Sequence, residues 1–164
     1  MTIYNIYIFD RKCACIYFSS WNVDPGLKGD SQEYDEMPLN PSKARGTLSG
    51  TQEIAWDEEV KLVYGVIFSL RNFVSKLSTK QPKDCFTSYR TKTYKLHFFE
   101  APSGLKIVMS TDPNMDTQRE ALQLIYSNIY VEYVVKNPLQ GPGPIRNDLF
   151  KQKLHQFVRS LPGF

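Results

Sequence analysis

Ile3-Tyr4-Asn5-Ile6-Tyr7-Ile8-Phe9 is the stretch whose reading decides the fold. Written as a strand, with side chains alternating between two faces, it puts Ile3, Tyr7 and Phe9 on one side and Tyr4, Ile6 and Ile8 on the other, with Asn5 the one polar exception. A strand that is apolar on both faces has to be covered on both. Asp10-Arg11-Lys12 predicts a turn, and Cys13 to Ser19 repeats the pattern, Cys13, Cys15 and Tyr17 opposing Ala14, Ile16 and Phe18. The two runs read as a hairpin closed by Trp21.

The cover has to come from further along the chain. Asp57-Glu58-Glu59 reads as a helix start, where carboxylates cap free N–H groups and meet the positive end of the dipole. Val60, Val63, Tyr64, Ile67, Leu70, Val74 and Leu77 then recur at spacings of three and four. Leu62, Val66 and Phe73 form a second stripe, and an apolar face wider than one core requires points to a partner as well. Gly65 in mid-helix costs about 1 kcal/mol against Ala; close packing on the sheet is its first reading and a partner helix its second.

Lys83–Thr91, Tyr94–Ala101 and Leu105–Ser110 read as three more strands, the last two joined by a turn at Pro102-Ser103-Gly104. Arg90, Lys92 and Lys95 read as charges guarding strand ends. Thr117-Gln118-Arg119-Glu120 has capping-box spacing and opens a long helix to Lys136, stopped by Asn137-Pro138. Gln140 to Pro144 alternates Gly and Pro as a connector. Asn147 or Asp148 then caps a final helix carrying Leu149, Phe150, Leu154, Phe157, Val158 and Leu161. The expected class is α+β in the order β-β-α-β-β-β-α-α: a five-stranded antiparallel sheet with one helix on one face and two on the other.

Composition narrows the function. With 164 residues and 41% hydrophobic content the chain suits one domain, residues 1–164. Residues 22–53 differ: three Pro, four Gly, six acids and three bases with few large apolar groups read as a mobile surface insertion, leaving the remainder at about +6. A net charge of +3 is no footprint of a dedicated nucleic-acid binder. Cys13, Cys15 and Cys85 with His97 and His155 lack the paired spacing of a zinc site, so no metal, cofactor or catalytic residue is expected, and the thiols read as small buried hydrophobes in a reducing cytosol. The first strand lacks the flanks of a signal peptide, and 122–135 is too short and polar to span a bilayer, so any membrane association is expected to be peripheral.

Four separated blocks carry a resemblance. Tyr7-Ile8-Phe9-Asp10-Arg11, the run Leu62-Val63-Tyr64-Gly65-Val66-Ile67-Phe68-Ser69-Leu70-Arg71-Asn72-Phe73-Val74-Ser75-Lys76, the run from Tyr94 to Gly104, and Tyr130-Val131-Glu132-Tyr133-Val134-Val135-Lys136-Asn137-Pro138 together resemble the small longin-like (SNARE-like) subunits of the TRAPP tethering complex, subunit-one type. The resemblance covers residues 1–21 and about 57–164; the insertion departs from the short connection of animal members.

It implies a longin sheet and a non-catalytic structural subunit. Its partners would be a second longin-like subunit and the acyl-pocket-type small subunits. The core so built would act as guanine nucleotide exchange factor for a Rab/Ypt GTPase in ER-to-Golgi transport, in the cytoplasm and peripherally at the endoplasmic reticulum and cis-Golgi. Asp10 and Arg11 at the first turn, where the turn alone requires neither, and Arg71, Phe73 and Lys76 on the first helix are the candidate partner-interface residues. The competing readings are a small longin-fold subunit of a vesicle-coat adaptor, and an enzyme or sensor using His97 with Glu100 or Asp112. Three positions along a strand place His97 and Glu100 on opposite faces, which weighs against the enzyme.

Overall fold

The fold is described from a computed structural model, which describes residues 2–21, 50–78 and 86–162. In chain order it forms β1 (Ile3–Phe9), β2 (Cys15–Ser20), α1 (Gly50–Leu77), β3 (Ser88–Arg90), β4 (Lys95–Glu100), β5 (Lys106–Thr111), α2 (Arg119–Leu124) running on into a π-helical segment (Ile125–Val135), and α3 (Asp148–Ser160). Five strands pair antiparallel in the order β2-β1-β5-β4-β3. Residues 1–37 and 87–164 make one compact unit and residues 38–86, with α1, another. The predicted insertion lies outside the described residues except for its last four, which already belong to α1, and so do Lys83 to Cys85 of the third predicted strand.

β1 is apolar on both faces, but two irregularities redistribute its side chains. A shift in its pairing with β5 falls between Ile3 and Asn5. The extra residue turns Ile3 onto the side of Ile6 and Ile8, where all three join one core, instead of the side of Tyr7 and Phe9. Tyr7 pairs with Phe18 on one flank and Val108 on the other, and Val108 with Phe98. These residues form a second buried apolar face, with the Tyr7 and Phe18 rings 4.9 Å apart. The second shift, between Ile8 and Phe9, leaves Ile16 opposite no single partner. β2 accordingly starts at Cys15, two residues later than the alternation implied.

The core on the other face is closed by α2, the π-helical segment and α3. Asn147 caps α3, its side-chain oxygen accepting from Leu149 N–H at 3.0 Å while its amide donates to the Tyr133 carbonyl at 2.7 Å. Phe150, Leu154 and Val158 follow at four-residue spacing and are fully buried, Phe150 edge-on to Tyr17 at 5.1 Å. The helix before Asn137-Pro138 ends where expected, but its second half is π-wound, Lys136 N–H reaching the Val131 carbonyl at 3.0 Å. Wider winding buries Ile125, Ile129 and Val134 at spacings of four and five.

The capping box at Thr117 does not form. Gln118 is the N-cap residue and makes no side-chain cap; its own N–H donates to Nδ1 of the buried His97 at 3.3 Å. With Nδ1 accepting, the proton sits on Nε2 and is donated to Thr111 Oγ1 at 2.9 Å. Burial first, then the nearby Lys95 ammonium, lowers the imidazole to about 4. A ring from β4 thus does the work that local cap chemistry was expected to do.

The turn after β4 follows its expected chemistry. Gly104 N–H returns to the Ala101 carbonyl at 2.9 Å, and Gly104 sits at φ +85°, a conformation costly for other residues. A Cβ on Gly104 would also stand 3.1 Å from Arg11 Cβ, so this turn and the β1–β2 turn are pressed together. Gly104→Ala is expected to lower unfolding stability by about 1–2 kcal/mol, read as a shift in urea midpoint at unchanged slope; an unshifted midpoint would refute the close approach.

Candidate partner interface

α1 begins at Gly50, seven residues before the predicted start, so Asp57-Glu58-Glu59 lie within the helix and not at its start. Thr51-Gln52-Glu53-Ile54-Ala55-Trp56 contains no helix breaker and carries Ala, Gln and Glu, all good helix formers. Val60 and Ile67 are buried, as the first stripe requires. The second stripe is exposed, Leu62 at 70%, Val66 at 41% and Phe73 at 61%, and Leu77, expected in the first stripe, is exposed with it at 63%. Spacings of four, seven and four put these four on one line along the helix.

Gly65 and Ser69 lie within the same exposed surface. Among the described residues nothing comes within 4 Å of a Cβ built on Gly65, so no described neighbour accounts for this glycine. The face is therefore flat at its centre and apolar along its length. Of the candidate residues on α1, Phe73 and Lys76 stand on this face. Arg71 precedes Phe73 by two residues, about 200° round the helix; it is exposed on the other side. One helix carries all three, but no single surface does.

The other two candidates sit in the first unit. Asp10 Oδ1 accepts from Ala14 N–H at 2.9 Å, and the Asp10 backbone pairs with Ala14 and Cys13, so Asp10 has a structural part in its turn. Cys13 at φ +70° makes the exit of that turn. Arg11 is exposed beside Gly104. Asp10, Arg11 and Lys12 form one rim of a cleft of about 680 Å³ that the sequence did not disclose. Its floor includes Ile16, Leu105 and Ile145, and one wall is Tyr126 and Tyr130, stacked 6.0 Å apart on the π-helical segment. Burial first, then Tyr126 and Asp10, raises the Tyr130 phenol, which keeps it protonated.

Groups with potential chemistry are absorbed by the scaffold. His97 is held as above, His155 Nε2 lies 3.0 Å from Ser19 Oγ, and Glu100 pairs across the sheet from Lys106 on the face opposite His97. Cys15 directs its thiol to the Tyr17 carbonyl at 3.4 Å, and burial pushes it up to about 12, the behaviour of a small buried hydrophobe. Among the described residues no three His, Cys, Asp or Glu side chains gather as a metal site, and no helix is long and apolar enough to cross a membrane.

Comparison with known proteins adds to this geometry. A family model described as Sybindin-like matches residues 3–161. The chain is similar to trafficking protein particle complex subunit 1 of Homo sapiens, 41% identical over 165 residues that cover 100% of this chain and 97% of that protein. It is similar to transport protein particle subunit bet5 of Schizosaccharomyces pombe, 36% identical over 172 residues with both chains covered in full. It is also similar to trafficking protein particle complex subunit 4 of Mus musculus, 28% identical over 142 residues, 86% of this chain and 64% of that protein.

Proposed function

The chain belongs to the Sybindin-like family, and on that premise we propose that it is a structural, non-catalytic subunit of a TRAPP tethering complex. In this reading residues 1–164 act as one longin-like domain within the core that exchanges guanine nucleotide on a Rab/Ypt GTPase during ER-to-Golgi transport. It works in the cytoplasm, peripherally at the endoplasmic reticulum and cis-Golgi. The observation that carries the reading is the exposed apolar line Leu62-Val66-Phe73-Leu77 on α1. A contiguous apolar surface of this kind is rare on a protein that works alone, and large aliphatic and aromatic side chains around a flat centre suit the core of a permanent interface.

A second longin-like subunit is the partner we assign to this face. The likeness to a protein named subunit 4 supports it, since related folds pair readily through equivalent surfaces, as in a two-fold dimer. Phe73 and Lys76 then belong to the pairing, while Arg71, turned away, and Arg11, in the other unit, address other neighbours such as the acyl-pocket-type subunits or the GTPase. Exchange asks for no acid, base or nucleophile here. A composite surface that binds the nucleotide-free GTPase more tightly than the loaded form shifts the equilibrium by that difference alone.

The test is affinity purification of the native chain at moderate salt, with mass spectrometry of the eluate and a nucleotide-release assay on it. A stable set of TRAPP-type subunits that accelerates release is expected. Recovery of a monomer, or of large vesicle-coat chains in their place, would overturn the proposal.

A further inference from the structure

The cleft beside the first turn lies wholly within the first unit, and the reading above gives a neighbour to Arg11 on its rim but no occupant to the cleft itself. We propose that it is a docking site for an extended peptide segment of another protein of the assembly, one that carries a carboxylate next to a large apolar side chain. The inference rests on the chain working within an assembly.

The floor is already built. Ile16, Leu105 and Ile145 are buried core residues, Ile145 N–H is bound to the Ile16 carbonyl at 2.9 Å, and the bulge between Ile8 and Phe9 is what frees Ile16 from the ladder. An apolar side chain entering the cleft therefore meets a preformed surface and orders little of the host. The Tyr126 and Tyr130 rings stack on one another, Tyr126 also lying 3.3 Å through its hydroxyl from Ser103 Oγ, so the aromatic wall is fixed as well.

The charge is unbalanced. Of the three charged residues on the rim, Asp10 turns one carboxylate oxygen to Ala14 N–H. Arg11 and Lys12 are exposed and, among the described residues, have no carboxylate within ion-pair distance. Two cations against one carboxylate leave the rim net positive beside an apolar recess, which matches an acidic group adjoining an apolar one and steers it there.

The far wall is bare. Gly141 and Gly143 line the cleft, and nothing comes within 4 Å of a Cβ built on either. Gly143 is required by its φ of +114°, but Gly141 has neither such a φ nor a close neighbour to demand it. The absence of a side chain at Gly141 serves no packing within the described residues and leaves the wall open to a second backbone. The apolar groups are recessed, whereas insertion into a bilayer needs them to protrude; this favours a peptide over a lipid surface.

The experiment uses the full chain in its purified assembly, with a benzoylphenylalanine photocrosslinker in place of Val135, an exposed residue lining the cleft. Irradiation is expected to yield one predominant crosslinked segment of a partner subunit, with Asp or Glu within two residues of a Leu, Ile, Met or Phe. The double substitution Arg11→Glu and Lys12→Glu should cut that yield at least about tenfold while the chain stays in the assembly, and reversing the mapped acid to Lys should restore it. An intact assembly with no preferred crosslink, or a yield indifferent to the double substitution, overturns the docking site and leaves the proposed function standing. Crosslinking only to phosphatidylserine vesicles overturns the peptide assignment. A chain that never enters the assembly overturns both.

Discussion

Replacing Leu62 and Phe73 together by Asp is expected to weaken binding to the second longin-like subunit by at least about 100-fold, while the far-ultraviolet spectrum and melting of the chain stay as they were. Both side chains are more than half exposed, and surface changes of this kind move stability by only about 0.5 kcal/mol. Truncating an interface anchor costs about 2 kcal/mol or more, and two such losses exceed the roughly 2.7 kcal/mol that a factor of 100 represents. Gly65→Ala sharpens the test because its two effects have opposite signs. Helix propensity favours the alanine by about 1 kcal/mol, and nothing among the described residues obstructs the methyl, so stability should rise. A partner lying close over this flat centre would be pushed off, so affinity should fall. Equal affinity for the wild type, the double Asp variant and Gly65→Ala would remove α1 from the interface.

The second large effect concerns pH. In the unfolded chain His97 titrates near 6.5, and in the folded chain near 4. Between these values the unfolded state takes up a proton that the folded state refuses, so the stabilisation is fully present above the unfolded value and is lost as pH falls towards the folded one. Denaturant unfolding of the wild type at pH 7.5 and 4.5 should differ through this residue by about 2–3 kcal/mol. His97→Asn keeps an acceptor for Gln118 N–H but cannot titrate. It should be less stable at pH 7.5 by about 1–3 kcal/mol and should lose correspondingly less on acidification. Parallel pH profiles for the two proteins would mean that the imidazole is not held neutral by its burial between β4 and α2.

Much of this molecule was readable because its apolar residues declare their faces. Two-sided β1, the Pro-Ser-Gly turn, the Asn-Pro stop and the two stripes of α1 each rest on local chemistry and are found where the pattern put them, apart from Ile3, which changes face, and Leu77, which is exposed. The departures come from contacts made across the chain. A bulge that turns Ile3 across its strand depends on the register with β5, which the alternation of β1 alone cannot express. The start of α2 is capped by His97, 21 residues earlier, so the local Thr117-Glu120 spacing was a signal without an event. α1 begins early because composition averaged over 22–53 concealed a short run of helix formers at its end. The candidate site divides the same way. Exposure of the second stripe was implied by its width, and Phe73 and Lys76 fall on it. Arg71 was grouped with them by proximity in sequence, although the helix carries it round to another side. The cleft needed two turns, a bulge and a π-helical winding to meet; both turns were legible, at Asp10-Arg11-Lys12 and Pro102-Ser103-Gly104, but their meeting was not, because it depends on the bulge and on the winding that spaces Ile125, Ile129 and Val134 by four and five.

Hydroxyl-radical footprinting of the native assembly, read by mass spectrometry at individual side chains, tests the central claim most directly. Phe73 and Leu149 are comparably exposed in the isolated chain, at 61% and 57%, and Leu149 lies on α3, outside both the α1 line and the residues that line the cleft. If α1 is the pairing face, oxidation of Phe73 and Leu62 should fall at least about tenfold relative to Leu149 on assembly, under the protection expected of a fully desolvated interface centre. Phe73 and Leu149 oxidised at the same relative rate inside an active, intact assembly would contradict the account.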